Sequence, residues 1–591
     1  MLVSLASRLS RYMTNSVVVL TLRYMARNPI HYSRLILLLM MAASVGMFSA
    51  SFLGTLNRSY FERVAYSVGS EVRLENPLAY GTGKKAMMEQ YSGITGVENV
   101  SLAYRGTATV GTFTQTDSAI LAVDPANFGD LTWYREDFSA RPVSEIMDVL
   151  RKDTATTSGL PLPDGTEAIG LWISPVYGPN PRLTLLARIQ DGRGFYNDIT
   201  LGSPTYDDWQ YIEGSLYDSV GNLPVSPIRL YSIYLSVAGG STTGLQGTYL
   251  DDLQVRGSFS DRPMVVEDFE DITEWTAVSE FQSSGSQTGS SDSLARERNI
   301  VYAGSYAARY TWGGRPSFRG IFPNLDSRPL LGIASRTFLN NVGVSVGDWI
   351  TVRIPGQFLS ISIEDVVDYF PTLDPAKKPF LLLNYDRLVS SGLSSNNRLY
   401  PNEVWLDVPP DGQERLAAVQ ELKAPGNRAD KFYDREELLA AQKADPLVAA
   451  GWGGILLIAF VGVILVSGLG FVVYAYLSAR GRHLEFAVLR TLGFSWRQII
   501  SLVCFEQIFV IGAGMGIGTL LGNRLSRIMM PFLQLTEKGE AVVPPFVLVT
   551  DWPTISVAYV ILSVAFMATI SLVVLFFSRV ALHRALRMGD E

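Results

Sequence analysis

The chain has 591 residues, 47% hydrophobic and 18% charged, with one cysteine, three histidines and a formal net charge of −7. That length exceeds one compact domain, and the balance of apolar and charged residues fits a chain that is part membrane and part globular. Cys504 alone excludes an intramolecular disulfide or a cysteine zinc site, and His31, His483 and His583 have no neighbour at ligand spacing, so no metal is expected.

Residues 1–33 carry Arg8, Arg11, Arg23 and Arg27 and no acid. These arginines interrupt any compact apolar region, so the segment reads as a cytoplasmic amphipathic helix, broken at Asn28 and Pro29, rather than a cleaved signal peptide. An uncharged run from Leu35 to Leu56 then predicts a transmembrane helix over 34–56, because about 20 apolar residues cross a hydrocarbon core of about 30 Å.

The stretch 57–446 holds 34 basic and 49 acidic side chains, which argues against nucleic acid as a partner. Alternation predicts strands at Val97–Val110, Ala119–Val123, Trp349–Ile354 and Leu359–Val366. Helical spacing marks Pro142–Arg151, Glu414–Leu422 and Glu436–Lys443. Residues 57–167 and 321–446 therefore read as one α+β unit. Between them, 168–320 is strand-rich (Leu183–Gln190, Asp207–Ile212, Arg229–Val237, Thr248–Val255) with Gly, Pro, Asp and Ser turns, and reads as an inserted β-sandwich. A Ser/Gly-rich loop is expected over 278–295. The pair Asp251 and Asp252 reads as turn or strand-end residues.

Three more spans are predicted at 447–478, 499–522 and 555–578, separated by a segment at 479–498 and a loop at 523–554, with a tail at 579–591. Arginines cluster before the first span, between the second and third (Arg480, Arg482, Arg490, Arg497) and after the fourth (Arg579, Arg584, Arg587). The positive-inside rule then places both termini and 479–498 in the cytoplasm and 57–446 outside the cell membrane. Gly514, Gly518 and Gly522 recur at every fourth position, the spacing of a close helix–helix contact, and Glu506 lies in the same span. A carboxylate there must face protein or water, as a structural hydrogen-bonding group or a functional relay. Leu484, Val488 and Leu492 repeat every four residues, one face of a short helix with Arg482, Arg490 and Arg497 beside it. No phosphate-binding loop, nucleophile elbow or zinc-protease signature occurs. No catalytic residue and no cofactor are expected, and any energy used must come from another chain.

The phrase ARGRHLEFAVLRTLGFSWRQII (Ala479–Ile500) resembles the cytoplasmic segment after the second span of FtsX/MacB-type ABC transporter permeases. The matching positions are Arg482, Glu485, Val488, Leu489, Arg490, Leu492, Gly493, Phe494 and Ser495, and the one-plus-three arrangement of spans is similar too. The resemblance covers about 1–165 and 325–591. It implies an α-helical membrane domain of 1+3 transmembrane helices, with a large extracytoplasmic α+β domain into which the sandwich is inserted. It also implies a separate ABC ATPase subunit docked on the 479–498 segment at Arg482, Leu484, Glu485, Val488, Leu489, Arg490, Leu492, Gly493 and Phe494. A homodimer or second permease follows as well, and the cargo is left open among a protein, a lipid and a glycan, beside contact with membrane lipid.

Within 168–320, the phrases GTYLDDLQV (Gly247–Val255), EDFEDITEW (Glu267–Trp275) and GSYAARYTW (Gly304–Trp312) resemble jelly-roll carbohydrate-binding modules, although the second phrase follows the first here instead of opening the module. Sugar binding requires exposed aromatics on one face; Trp209, Tyr249, Trp275 and Trp312 are candidates and equally read as core. The alternative function is thus a membrane-anchored carbohydrate-binding or adhesion receptor without ATPase coupling.

Overall fold

The structure, a computed structural model, describes residues 16–27, 29–78, 83–110, 115–154, 159–237, 245–279, 292–313, 319–324, 328–355, 357–392, 399–444, 452–481, 493–533 and 542–553, with separate positions in 488–491 and 555–571. The chain divides into a unit of Met1–Val64 with Glu437–Glu591 and a unit of Ala65–Glu436.

The first unit is helical. Its elements are α1 (Ser16–Arg27), α2 (Pro29–Val68), α3 (Trp452–Gly481) and α4 (Trp496–Leu533), with further helical positions between Ile555 and Ser571. Pro29 separates α1 from α2 and opens α2 at a position whose N–H has no helical partner in any case. In α1, Thr21, Leu22 and Met25 are buried while Arg23 and Arg27 are exposed, and the helix packs against α4. Among the described residues, Tyr32–Val68 and Arg497–Met530 are long and apolar enough to cross a membrane, and Gly454–Gly470 is a shorter apolar stretch. Ile458, Leu465 and Leu469 of α3 and Ile508, Leu520 and Ile528 of α4 expose their side chains. An apolar outer surface of this extent suits lipid rather than water.

The unit Ala65–Glu436 holds a nine-stranded mixed sheet. Its order is Trp349–Ile354, Gln357–Val367, Leu330–Ser335, Phe380–Asn384, Thr116–Val123, Asn99–Val110, Glu403–Asp407, Val72–Pro77, Ala429–Asp434. The strand Trp349–Ile354 also pairs with Asn99–Val110, so the sheet curls around a core containing Val110, Ile120, Val352, Ile361 and Leu381. Phe380–Asn384 is buried along its whole length because both its faces are covered. Leu381 and Leu383 enter that core, while Phe380 and Leu382 meet Ile146, Met147 and Leu150 of the helix Val143–Lys152.

Residues 160–323, which lie in the chain between the two groups of sheet strands, build two six-stranded antiparallel sheets. One is ordered Ser293–Glu297, Ala307–Trp312, Gln246–Gly257, Thr166–Pro175, Gln210–Ser215, with Ser260–Glu267 also on Gln246–Gly257. The other is ordered Trp275–Ser279, Arg319–Pro323, Arg229–Val237, Leu183–Gln190, Tyr196–Gly202, with Leu160–Pro161 on Arg229–Val237. Inward residues of both, among them Ile169, Leu171, Leu185, Ile189, Leu230 and Leu250, form one core. The two chain crossings are clasped beside Asp153, which accepts from the Leu331 N–H at 2.8 Å and pairs with Arg387 at 3.3 Å, both side chains buried.

One open sequence reading is decided here and another changes. Trp275, Trp312 and Tyr249 are 6%, 3% and 6% exposed, because the first two belong to the shared core and the third is covered on its strand, so they are not available to a ligand. Asp251 and Asp252 lie inside the strand Gln246–Gly257, at a bulge where Asp252 takes φ of 38°. The Ser/Gly-rich expectation falls largely on 280–291, outside the described residues.

Candidate functional site

The sequence-predicted residues and their neighbours fall at the start of α4 and at the contact of α4 with α2, whose end carries a further polar cluster. Before α4, Gly493 adopts φ of 92°, a left-handed conformation that ends a helix and that a side chain would strain. Ser495 and Gln498 then form a reciprocal cap. The Gln498 Oε1 accepts from the Ser495 N–H at 2.9 Å, and the Ser495 Oγ accepts from the Gln498 N–H at 3.4 Å. The Leu-Gly-Phe-Ser phrase is thus partly helix punctuation, and the Ser-x-x-Gln spacing is its signature in the sequence. Val488 is 57% exposed, Gly493 is exposed and Phe494 half-buried. Arg482, Leu484, Glu485, Leu489, Arg490 and Leu492 lie outside the described residues.

Along α4 the three glycines of the ladder face α2. A Cβ at Gly514 would lie 2.7 Å from the Leu39 Cβ; at Gly518, 2.6 Å from the Ala43 Cβ and the Met40 carbonyl oxygen; at Gly522, 2.6 Å from the Ser44 carbonyl oxygen. At Gly512 and Gly516, on the other side of the helix, a Cβ would meet nothing within 4 Å. The backbones of α2 and α4 therefore approach closely along one line of small residues, the geometry that maximises van der Waals contact where lipid removes any hydrophobic drive. Glu506 is fully buried and Gln507 nearly so, on the same helix, so the carboxylate faces protein rather than the exposed apolar surface.

Other elements also meet α2. Ser467 of α3 donates to the Leu38 carbonyl at 3.3 Å, and the Phe460 ring occupies the space beside Gly46. The Thr55 Oγ1 accepts from the Val549 N–H at 3.1 Å, and Met47 and Ala50 pack with Ile555. Within the helical unit α2 is the common neighbour of α3, α4 and the 542–555 segment.

The last residues of α2 belong to the sheet-containing unit and are held there by polar contacts. The Arg73 Nε donates to the Val68 carbonyl at 2.9 Å and its Nη2 to the Ser67 carbonyl at 3.2 Å, capping two orphan carbonyls of the helix end with a positive charge. The same guanidinium pairs with Glu403 at 3.0 Å and lies over the rings of Trp405 and Tyr433. Glu403 also accepts from Arg105 and, at 3.0 Å, from the Trp405 indole. The Thr372 N–H donates to the Tyr66 carbonyl at 2.7 Å, and the Tyr66 hydroxyl donates to the Leu373 carbonyl. Arg73 and Glu403 are both buried.

Elsewhere on this unit, Lys84 is held by Asp124 at 2.6 Å and Asp386 at 2.8 Å. Burial alone would lower its ammonium pKa, but the two carboxylates outweigh burial and raise it. The cluster sets one ammonium against two carboxylates, and among the described residues no group of acids, histidines and cysteine could hold a metal.

Residues 457–581 match the FtsX-like permease C-terminal family. No curated protein matches the chain. The FtsX-like region takes in most of α3, the segment before α4, the glycine ladder and the last helical positions; α1, α2 and the sheet-containing unit lie outside it. The FtsX-like permease family consists of transport subunits that typically work with an ABC ATPase partner and are generally not enzymes. The family match and the two long apolar helices together mark a membrane protein.

Two outcomes follow. Gly518→Leu should drive a side chain into the Met40–Ala43 backbone of α2 and weaken α2–α4 packing, read as a lower melting temperature in mild detergent; Gly516→Leu, on the open side, should leave it unchanged. Glu403→Ala removes the buried carboxylate shared by Arg73 and Arg105 and leaves Arg73 with Glu75, at 2.7 Å, as its remaining ionic partner, so it should destabilise the sheet-containing unit by about 1–3 kcal/mol, measured by urea unfolding followed through protease resistance of 65–436.

Proposed function

We propose that this chain is the permease subunit of an ABC transporter of the FtsX/MacB type. A separate ATPase hydrolyses ATP in the cytoplasm, and the chain converts that work into motion of its extracytoplasmic unit. The family match over 457–581 carries this reading, supported by the phrase that precedes α4.

In this account there are four spans, at 34–56, 447–478, 499–522 and 555–578. Both termini and 479–498 are cytoplasmic, and 57–446 lies outside, with 168–320 as a sandwich inserted in an α+β porter-like unit. Two such permeases assemble with the ATPase. Arg482, Leu484, Glu485, Val488, Leu489, Arg490, Leu492, Gly493 and Phe494 form the surface on which the ATPase rests, with apolar side chains flanked by arginines. Its closure moves the start of α4, and the Gly514–Gly518–Gly522 seam carries that movement to α2. At 40 residues α2 is roughly 60 Å long as a helix, about twice the hydrocarbon thickness. The physical work is mechanotransmission or export of a protein, lipid or glycan, and substrate need not pass between the spans.

A carbohydrate-binding receptor without ATPase coupling is favoured only by exposed aromatic side chains within 160–323, which are compatible with the permease reading as well. Coupling distinguishes the two. Replacing Leu492 and Phe494 together by Asp should abolish stimulation of the partner ATPase by this chain while the outer unit keeps its protease resistance. Unchanged stimulation would remove the assigned surface.

A further inference from the structure

The backbone passes between the two units twice, at Val64–Ala65 and at Glu436–Glu437. Inside the sheet-containing unit the two passages arrive side by side. The end of α2 leads through Gly69, Ser70 and Glu71 into the strand Val72–Pro77, and the strand Ala429–Asp434 leads straight into the helix Arg435–Ala444. Those two strands are antiparallel neighbours with Val72 opposite Asp434, so α2 enters the sheet at the point where the second helix leaves it.

Four ionised side chains join these points. The Arg435 N–H donates to the Glu71 carbonyl at 3.0 Å, and its guanidinium donates to the Glu71 carboxylate. Arg415, on the helix Gln413–Leu422, reaches the same carboxylate at 3.6 Å. It also donates to Asp434 and, at 3.0 Å, to the Pro409 carbonyl. Asp434 in turn accepts from the Glu436 N–H at 3.0 Å, which caps the helix that begins at Arg435. The side chains of Arg415 and Asp434 are 8% and 7% exposed, and those of Glu71 and Arg435 are 15% and 16% exposed, so all four ions are largely withdrawn from water. Two cations meet two anions. Desolvating ions is costly, and apolar side chains of the same volume would serve packing as well, so the return on this cluster lies in the one arrangement it specifies.

We propose that Glu71, Arg415, Asp434 and Arg435 form a latch that locks the two passages together at the sheet, so that α2 and the helix Arg435–Ala444 act on the sheet-containing unit as one input rather than two. The latch is distinct from the contact of Arg73 with Glu403, which holds the end of α2 alone. It lies wholly within the sheet-containing unit, so its existence stands apart from the coupling account, and only its use in transmitting movement rests on that account. With the carboxylate of Glu71 removed, the pairing of Val72–Pro77 with Ala429–Asp434 still holds the sheet, while the root of the second helix is free to part from that of α2.

The test measures the separation of the passages in the full chain in lipid nanodiscs, by electron–electron double resonance between spin labels on Arg63→Cys and Ala440→Cys in a Cys504→Ser background. The intact latch should give one narrow distance distribution. Glu71→Gln and Arg435→Gln should each turn it into a broad or two-peaked one, and the two together should broaden it no further than either alone, with the melting temperature unchanged. Arg262→Gln, exposed on the strand Ser260–Glu267, should leave the distribution narrow. Where a glutamine variant unfolds, Glu71→Asp, which keeps the charge and withdraws it by one methylene, should broaden the distribution in its place. The proposal is overturned if the variants keep the narrow distribution, or if the two substitutions broaden it additively. The readout needs no ATPase, so these results leave the coupling account untouched, and a failure of that account leaves the latch standing.

Discussion

The interaction on which the rest depends is the buried pair of Arg73 and Glu403. Arg73 spends its donors on the Ser67 and Val68 carbonyls that end α2, and Glu403 neutralises the charge that this requires. Without that carboxylate the guanidinium, packed beside Trp405 and Tyr433, would keep only Glu75, at 2.7 Å, as a counter-charge, and Arg105 would lose its partner too. Without the guanidinium, the end of a 40-residue helix would leave two carbonyls unmet. The pair fixes the helix terminus to adjacent strands, Val72–Pro77 and Glu403–Asp407, whose register is set by backbone hydrogen bonds. A terminus held this way resists fraying.

The same helix is the packing centre of the helical unit, for a different physical reason. In lipid there is little hydrophobic gain from bringing helices together, and contact must come from close approach and from polar groups that satisfy each other. The glycine line of α4 supplies the first, with what would be Cβ contacts of 2.6 to 2.7 Å, and Ser467 and Thr55 supply the second. The fully buried Glu506 belongs with the second group in its environment, since its side chain is removed from the lipid-facing surface.

Much of this was legible in the sequence because it is written locally. Alternation marks Trp349–Ile354 and Arg229–Val237, helical spacing marks Val143–Lys152, and the four-residue glycine period identifies the face that meets α2. The length of α2 was not legible from hydropathy. The apolar run stops at Leu56 while the helix continues to Val68, and the signal that extends it is the Arg58–Glu62 pair one turn apart, at 2.6 Å. The Arg73–Glu403 pair was out of reach because its partners are 330 residues apart in the chain. Whether Trp275 and Trp312 face a ligand or the core was open in the sequence, because it depends on strand parity within the two sheets, and both turn inward.

The central claim is that a separate ATPase drives this chain, and the direct measurement is affinity purification from its own membranes in mild detergent, followed by mass spectrometry and an ATPase assay. The account predicts an ATP-binding subunit in stoichiometric amount, with hydrolysis that depends on the presence of this chain. Recovery of the chain without any ATPase, across several detergents that preserve its assembly, would contradict it and leave the outer unit as an anchored binding module.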